Sequence, residues 1–184
     1  MNIFVLDNTP LKAAEYHCDK HVLKMIIESG QMLCTAHWLG WLNRLGQDMS
    51  DFKKVKDAQA FLYKNVPKRY QPHWKMTHAN HPCSVWTRES IDNYMWHADL
   101  GLYLCREYSI RYEKIHKGFA VHMWLQENMP PGIKEKGLTP FKICMKEEYK
   151  VSQNPVECYR EYYTKDKVRF AKWKKDNIPH WWHV

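Results

Sequence analysis

The stretch SVWTRESIDNYMWHADLGLYLCREYSIRY, residues 84 to 112, carries the longest regular pattern in the chain. Ile91, Tyr94, Met95, Ala98, Leu102, Cys105 and Tyr108 recur at steps of three and four, the spacing of one face of a helix. The pattern predicts a buried helix from Ser84 to about Tyr112, with Gly101 at a close contact. A helix of that length needs other helices to cover it, and the flanking sequence supplies them.

Upstream, NIFVLD (residues 2 to 7) is too short for a helix and reads as a buried extended segment. Thr9-Pro10 then opens a helix, with a hydroxyl at the N-cap and proline at the first helical position. Asp19 is placed to cap a second, on which Val22, Met25, Ile26, Ser29, Met32, Leu33 and Ala36 share a side. One helix is expected around Phe52 to Tyr63 and another over 114 to 128. NMPPGIKEKGLTPF (128 to 141) reads as loop. Asn154-Pro155, with Glu157 at the third helical position, opens a last helix running to about Trp173. With only 7 Gly and no repeat or linker, residues 1 to 184 read as one mainly α domain, a helical bundle with a short extended N-terminal segment.

Lys and Arg outnumber Asp and Glu 28 to 20, leaving a formal charge of +8. Such a balance favours nucleic acid or another polyanion. The six cysteines are scattered, without a CxxC pair, and read as reduced thiols. No apolar run approaches the roughly 20 residues of a membrane span, so the chain reads as soluble. GxGxxG, Walker A and GxSxG signatures are absent, which argues against the common nucleotide-binding enzymes and serine hydrolases.

Three stretches concentrate chemically active residues. In HCDKH (17 to 21), His17 and His21 stand four apart, on one helical face. Asp19 or either histidine is an acid–base candidate, with Lys20 and Lys24 as anion holders. The same histidines, perhaps with His81, are an alternative metal pair, although the HExxH base is missing. The plain alternative is a capping Asp19 on an ordinary helix. Glu28, Gln31 and His37 continue the polar positions; Glu28 is a further catalytic candidate and Gln31 a substrate-binding one, both on the side of Lys24. In HANHPCSVWTRESIDNY (78 to 94), His81 precedes a helix start, Arg88 can clamp a phosphate, Glu89 can act as base and Asn93 can read a base edge. An interhelical ion pair and a locally satisfied Asn93 are the structural alternative. In the last stretch, 159 to 182, cations including Arg160 and Lys167 alternate with aromatics. That pattern suits phosphate contacts and base stacking, while Phe170 and Trp173 read as core.

Together MNIFVLDNTPLKAAEYHCDKHVLKMIIESGQMLCTAH, NHPCSVWTRESIDNYMWH, LTPFKICMKEEYK and YREYYTKDKVRFAKWKKDNIPHWW resemble a small-protein family of tailed bacteriophages with no assigned activity. More distantly, the helical organisation is similar to phage DNA-base hypermodification proteins. These are amino acid:DNA transferases and thymidine-modifying pyrophosphorylases, a group related to helical DNA glycosylases. The resemblance implies action on a pyrimidine in phage DNA, in the host cytoplasm. The reaction would displace diphosphate from an activated 5-hydroxymethyl group or cleave a glycosidic bond. DNA would be bound single-stranded or with its base flipped out. No cofactor is required by the sequence; a divalent metal is the one considered. The other readings are a histidine-based metal-dependent hydrolase or nuclease, and a non-catalytic nucleic-acid-binding or host-interaction protein.

Overall fold

The computed structural model describes residues 1–183, apart from the side chain of residue 176. Seven α-helices and no strand occur among the described residues: α1 (Pro10–Tyr16), α2 (Asp19–Arg44), α3 (Val55–Asn65), α4 (Pro82–Thr87), α5 (Ile91–Tyr112), α6 (Phe119–Glu127) and α7 (Pro155–Tyr162). The mainly α expectation holds. α5 packs against α1, α2, α4 and α6, and α2 also touches α3.

Local chemistry starts several helices where expected. The Thr9 hydroxyl accepts from the Lys12 amide at 3.4 Å, with Pro10 at the first helical position. Asn154 Oδ1 accepts from the Val156 amide at 3.0 Å ahead of α7. Residues 3 to 6 are buried without joining a sheet. Asp19, expected at the cap of the second helix, is instead its first residue, and Cys18 is the cap.

The stretch from 84 to 112 is two helices rather than one. Ser90 is extended, at φ −147° and ψ 161°; its hydroxyl accepts from the Asn93 amide at 3.1 Å and donates to the Gly137 carbonyl at 2.8 Å. The Ile91 amide donates to the Lys134 carbonyl at 2.8 Å. Docking of the 134–139 loop therefore stops α4 and restarts the chain as α5. α7 also ends early, at Tyr162 rather than Trp173, and continues as a π turn over Tyr163–Lys167. The fully buried Tyr163 enters the core at this wider turn and shares a hydrogen bond with His21 Nδ1.

Three hydrophobic clusters lie along α2. The first joins residues 3 to 6 with α1, α4, α5 and α7, and Phe170 and Trp173 pack against it. The second lies between α2, α5 and α6, and the third between the end of α2 and α3. Gly101 sits where α5 meets α6, and a Cβ there would strike the His122 ring. That ring donates Nε2–H to the Ile26 carbonyl at 2.8 Å and so ties α6 to α2.

Candidate functional site

The HCDKH motif is built into the core. His17 is fully buried, and its Nδ1–H donates to the Ala13 carbonyl at 2.6 Å, which leaves Nε2 a buried lone pair with no partner. His21 stacks on Phe4 with ring centroids 4.4 Å apart. Burial holds both imidazoles neutral, lowering His17 to about 4 and His21 to about 2. Each ring has committed its Nδ1, the ring centroids stand 6.4 Å apart, and no group of three His, Cys, Asp or Glu among the described residues is arranged to hold a metal ion. The His17–His21 pair therefore has no third protein ligand beside it among the described residues.

Asp19 is an ion-pair partner. Its Oδ1 accepts from Arg111 Nη1 at 3.1 Å and from the Lys174 amide at 3.2 Å. Arg111, with a side chain fully shielded from solvent, uses all five of its N–H groups. They go to the Glu107 carboxylate, Asp19 and the carbonyls of His17 and Glu15. Sequence reasoning missed this residue, since nothing local distinguishes Arg111 from a solvated arginine at a helix end. Lys20 is exposed and lies over the Phe170 ring, 5.1 Å from its centroid.

The residues that the fold does gather lie on the Lys24–Glu28–Gln31 side of α2. Lys24 Nζ stands 3.3 Å from one Glu28 oxygen, and the Met1 amino group 3.6 Å from the other. Glu28 is largely shielded, its side chain 15 % exposed, whereas that of Lys24 is 62 % exposed. His81 arrives from the loop before α4. Its pKa is lowered first by burial, then by the Met1 amino group and His78, with Glu28 opposing. The fold thus brings His81, from a separate stretch of the sequence, into the neighbourhood of the Met1 amino group and Glu28. His81 Nδ1 also accepts from the Cys83 amide at 3.2 Å and caps α4. Gln31 is half-buried one turn beyond Glu28.

The rest of the second stretch is engaged in holding loops. Asn93 is fully buried; its Nδ2 donates to the Trp86 carbonyl and to Thr139 Oγ1, and its Oδ1 accepts from the Thr139 amide. No edge of that amide is left to read a base, so the base-reading expectation for Asn93 is corrected. Arg88 Nη1 donates to the Ala79 carbonyl at 2.7 Å, and Glu89 faces Thr139 Oγ1 at 3.5 Å and Lys142 at 4.0 Å.

Among the C-terminal cations, Arg160 donates to the Leu6 carbonyl at 2.9 Å and to Asp7 at 3.3 Å, beneath the Tyr16 and Trp181 rings. Lys167 is held by Asp166 at 2.6 Å and by the Tyr162 hydroxyl at 2.9 Å. Both are engaged by neighbouring groups where they stand. Lys174 and Lys175 line an open concavity of about 630 Å³ with Lys114, Arg111, Glu113 and the stacked rings of Tyr108 and Tyr112; Lys175 pairs with Glu113 at 3.0 Å, and Lys174 lies over the Tyr112 ring.

A second concavity, of about 290 Å³, lies at the far end of α2, walled by Trp41, Tyr70 and Trp124, with His37 at its base and Arg44 at its rim. The Tyr94 hydroxyl donates to the Leu125 carbonyl at 2.7 Å, so it accepts from His37 Nε2–H at 2.8 Å. That leaves His37 Nδ1 with its lone pair, on an imidazole that burial lowers to about 3. In the sequence only His37 hinted at this place, as a polar position on an apolar helix.

Comparison with known proteins finds no matching family model, no matching curated protein and no matching solved structure.

Proposed function

We propose that this protein is a phage DNA-base-modifying enzyme of the glycosylase-like kind, acting on a pyrimidine presented outside the base stack. The observation that carries the reading is the placement of Glu28: a shielded carboxylate between Lys24 and the Met1 amino group, within charge reach of His81. Cleavage of an N-glycosidic bond builds positive charge on the sugar and negative charge on the departing base. A carboxylate stabilises the first, and the His81 Nε2–H, left as a donor while Nδ1 accepts from the Cys83 amide, can hydrogen-bond the second. Lys24, on the open side of Glu28, is suited to a flanking phosphate.

The formal charge of +8 and the lysine-lined concavity beside Tyr108 and Tyr112 support a nucleic-acid partner. An aromatic cleft such as that of Trp41, Tyr70 and Trp124 suits an unstacked base. It lies nine residues beyond Glu28, on the opposite face of α2 and about 13 Å along the axis, so it serves a different nucleotide from the one at Glu28. No helix among the described residues is long and apolar enough to cross a membrane, which is compatible with work on DNA in the host cytoplasm.

The test is mass analysis of nucleosides and free bases after incubation with DNA. The DNA carries ordinary, 5-hydroxymethyl or diphosphate-activated pyrimidines, and an amine donor and a divalent metal are supplied. Release of a free base, lost in Glu28→Gln, is the expected result. A new base mass with no free base would move the reading to the transferase reaction. Unchanged nucleosides with every substrate would overturn base chemistry altogether.

A further inference from the structure

Cys83 and Cys144 are 61 residues apart in sequence, yet their sulfurs stand 3.5 Å from each other. Cys83 is the second residue of α4; Cys144 lies in the irregular segment between α6 and α7. Cys144 is half-buried, whereas the other five cysteines are fully buried. Cys144 is therefore the more accessible member of the pair.

The surroundings hold both sulfurs in place. Asn2 Nδ2 donates to the Cys144 carbonyl at 2.8 Å, and the Cys144 amide donates to the Tyr159 hydroxyl at 3.2 Å. Tyr159 is fully buried, with Asn2 Oδ1 and the Lys142 carbonyl both 2.8 Å from its hydroxyl oxygen. Cys83 Sγ in turn lies 3.5 Å from Asn2 Oδ1. The same asparagine thus orients both cysteines. Forming a disulfide needs the sulfurs to close from contact to about 2.05 Å, a shift of about 1.5 Å that the irregular segment around Cys144 is suited to make.

We propose that Cys144 and Cys83 are a redox-active dithiol, with Cys144 the attacking thiol, Cys83 the resolving thiol and hydrogen peroxide the oxidant. The Cys144 thiolate attacks one peroxide oxygen. The O–O bond breaks, a sulfenic acid forms and hydroxide leaves, taking up a proton as water. Cys83 sulfur then attacks Cys144 sulfur. The S–O bond breaks, the disulfide forms, and a second water leaves with the Cys83 proton. Two thiols lose two electrons in all, and one hydrogen peroxide gains them. The division of roles follows from exposure and from charge. The Cys83 thiol donates toward Cys144, and Lys150 and Lys142 lie nearby, which lowers Cys144 to about 7. The same contact and burial push Cys83 up. The resulting bond would staple the segment between α6 and α7 to the start of α4. This inference is independent of any activity on DNA.

The test treats the full chain with hydrogen peroxide, alkylates free thiols under denaturing, non-reducing conditions, and maps the peptides. The expected product has lost two hydrogens, alkylates at four of its six cysteines, and yields a peptide joining 83 to 144. Cys83→Ser should accumulate a sulfenic acid at Cys144 that dimedone traps, and Cys105→Ser should cross-link like the parent. Alkylation at all six after peroxide would overturn the proposal, as would a link between any other pair. Equal dimedone labelling of Cys144 in the parent and in Cys83→Ser would overturn the resolving role. The unsubstituted chain alone decides whether the bond forms, so a variant that folds poorly does not weaken the test.

Discussion

Arg111 Nη1 lies 3.1 Å from Asp19 Oδ1, and the pair joins the end of α5 to the first residue of α2 across 92 residues of sequence. The guanidinium also holds Glu107 and the carbonyls of His17 and Glu15, so one side chain fixes where the α1–α2 connection sits.

Replacing Arg111 by Met should therefore destabilise the protein by about 3–5 kcal/mol, because it strands the shielded Glu107 and Asp19 carboxylates. Arg111→Lys should recover only part of the loss, since three donors cannot replace five. Asp19→Asn keeps an acceptor for the guanidinium and should cost less than Arg111→Met. Urea midpoints at fixed pH check this order. Equal stability of all four proteins would show that the network contributes nothing.

Acid should unfold the protein early. Five buried histidines are lowered from 6.5: His17 and His122 to about 4, His37 and His97 to about 3, and His21 to about 2. Above pH 6.5 neither the folded nor the unfolded state binds these protons, so the histidines give no pH dependence there. Below 6.5 the unfolded chain takes them up while the fold refuses them. Stability then falls by about 1.4 kcal/mol per histidine per pH unit, or roughly 7 for the five, until pH nears the folded values. That is comparable to a whole domain's stability, so unfolding is expected within about one to two units below 6.5. Circular dichroism against pH reads it; a urea midpoint that stays flat from pH 7 to 5 would contradict it.

Gly101→Ala should cost about 1–3 kcal/mol by overpacking, since the new methyl meets the His122 ring and not a flexible chain end. Pairing it with His122→Ala should recover part of that loss by opening the space. Thermal melts of the two single variants and the double variant test the coupling; strict additivity would mean that the helices simply move apart.

Single-stranded oligonucleotides should quench tryptophan fluorescence through the Trp41–Tyr70–Trp124 cleft. Trp124→Ala should weaken binding by about 1–3 kcal/mol if a base stacks there. Binding should also weaken as salt rises, because lysines release counterions from the phosphates. Unchanged affinity in Trp124→Ala would place the contact elsewhere, with the concavity of Lys114, Lys174 and Lys175 next in line.

The helical class, the starts of α1 and α7 and the loop at 128 to 141 were legible from local pattern. Each depends on atoms within a few residues: Thr9 caps Lys12, Asn154 caps Val156, and apolar residues recur along α5. Glu28, Lys24 and Gln31 were also legible as one side of α2, because helical periodicity is local. That His17 and His21 face the core, that Asp19 answers Arg111 and that His81 reaches the neighbourhood of Glu28 followed from the closed fold alone. The closed fold also set where helices stop. Ser90 breaks the long helical pattern because the 134–139 loop docks on it, and α7 ends early where Tyr163 turns in to meet His21. Burial and ion pairing depend on partners tens of residues away, which a local pattern does not specify. A histidine bound for solvent and one bound for the core have the same neighbours in sequence until the fold closes around them.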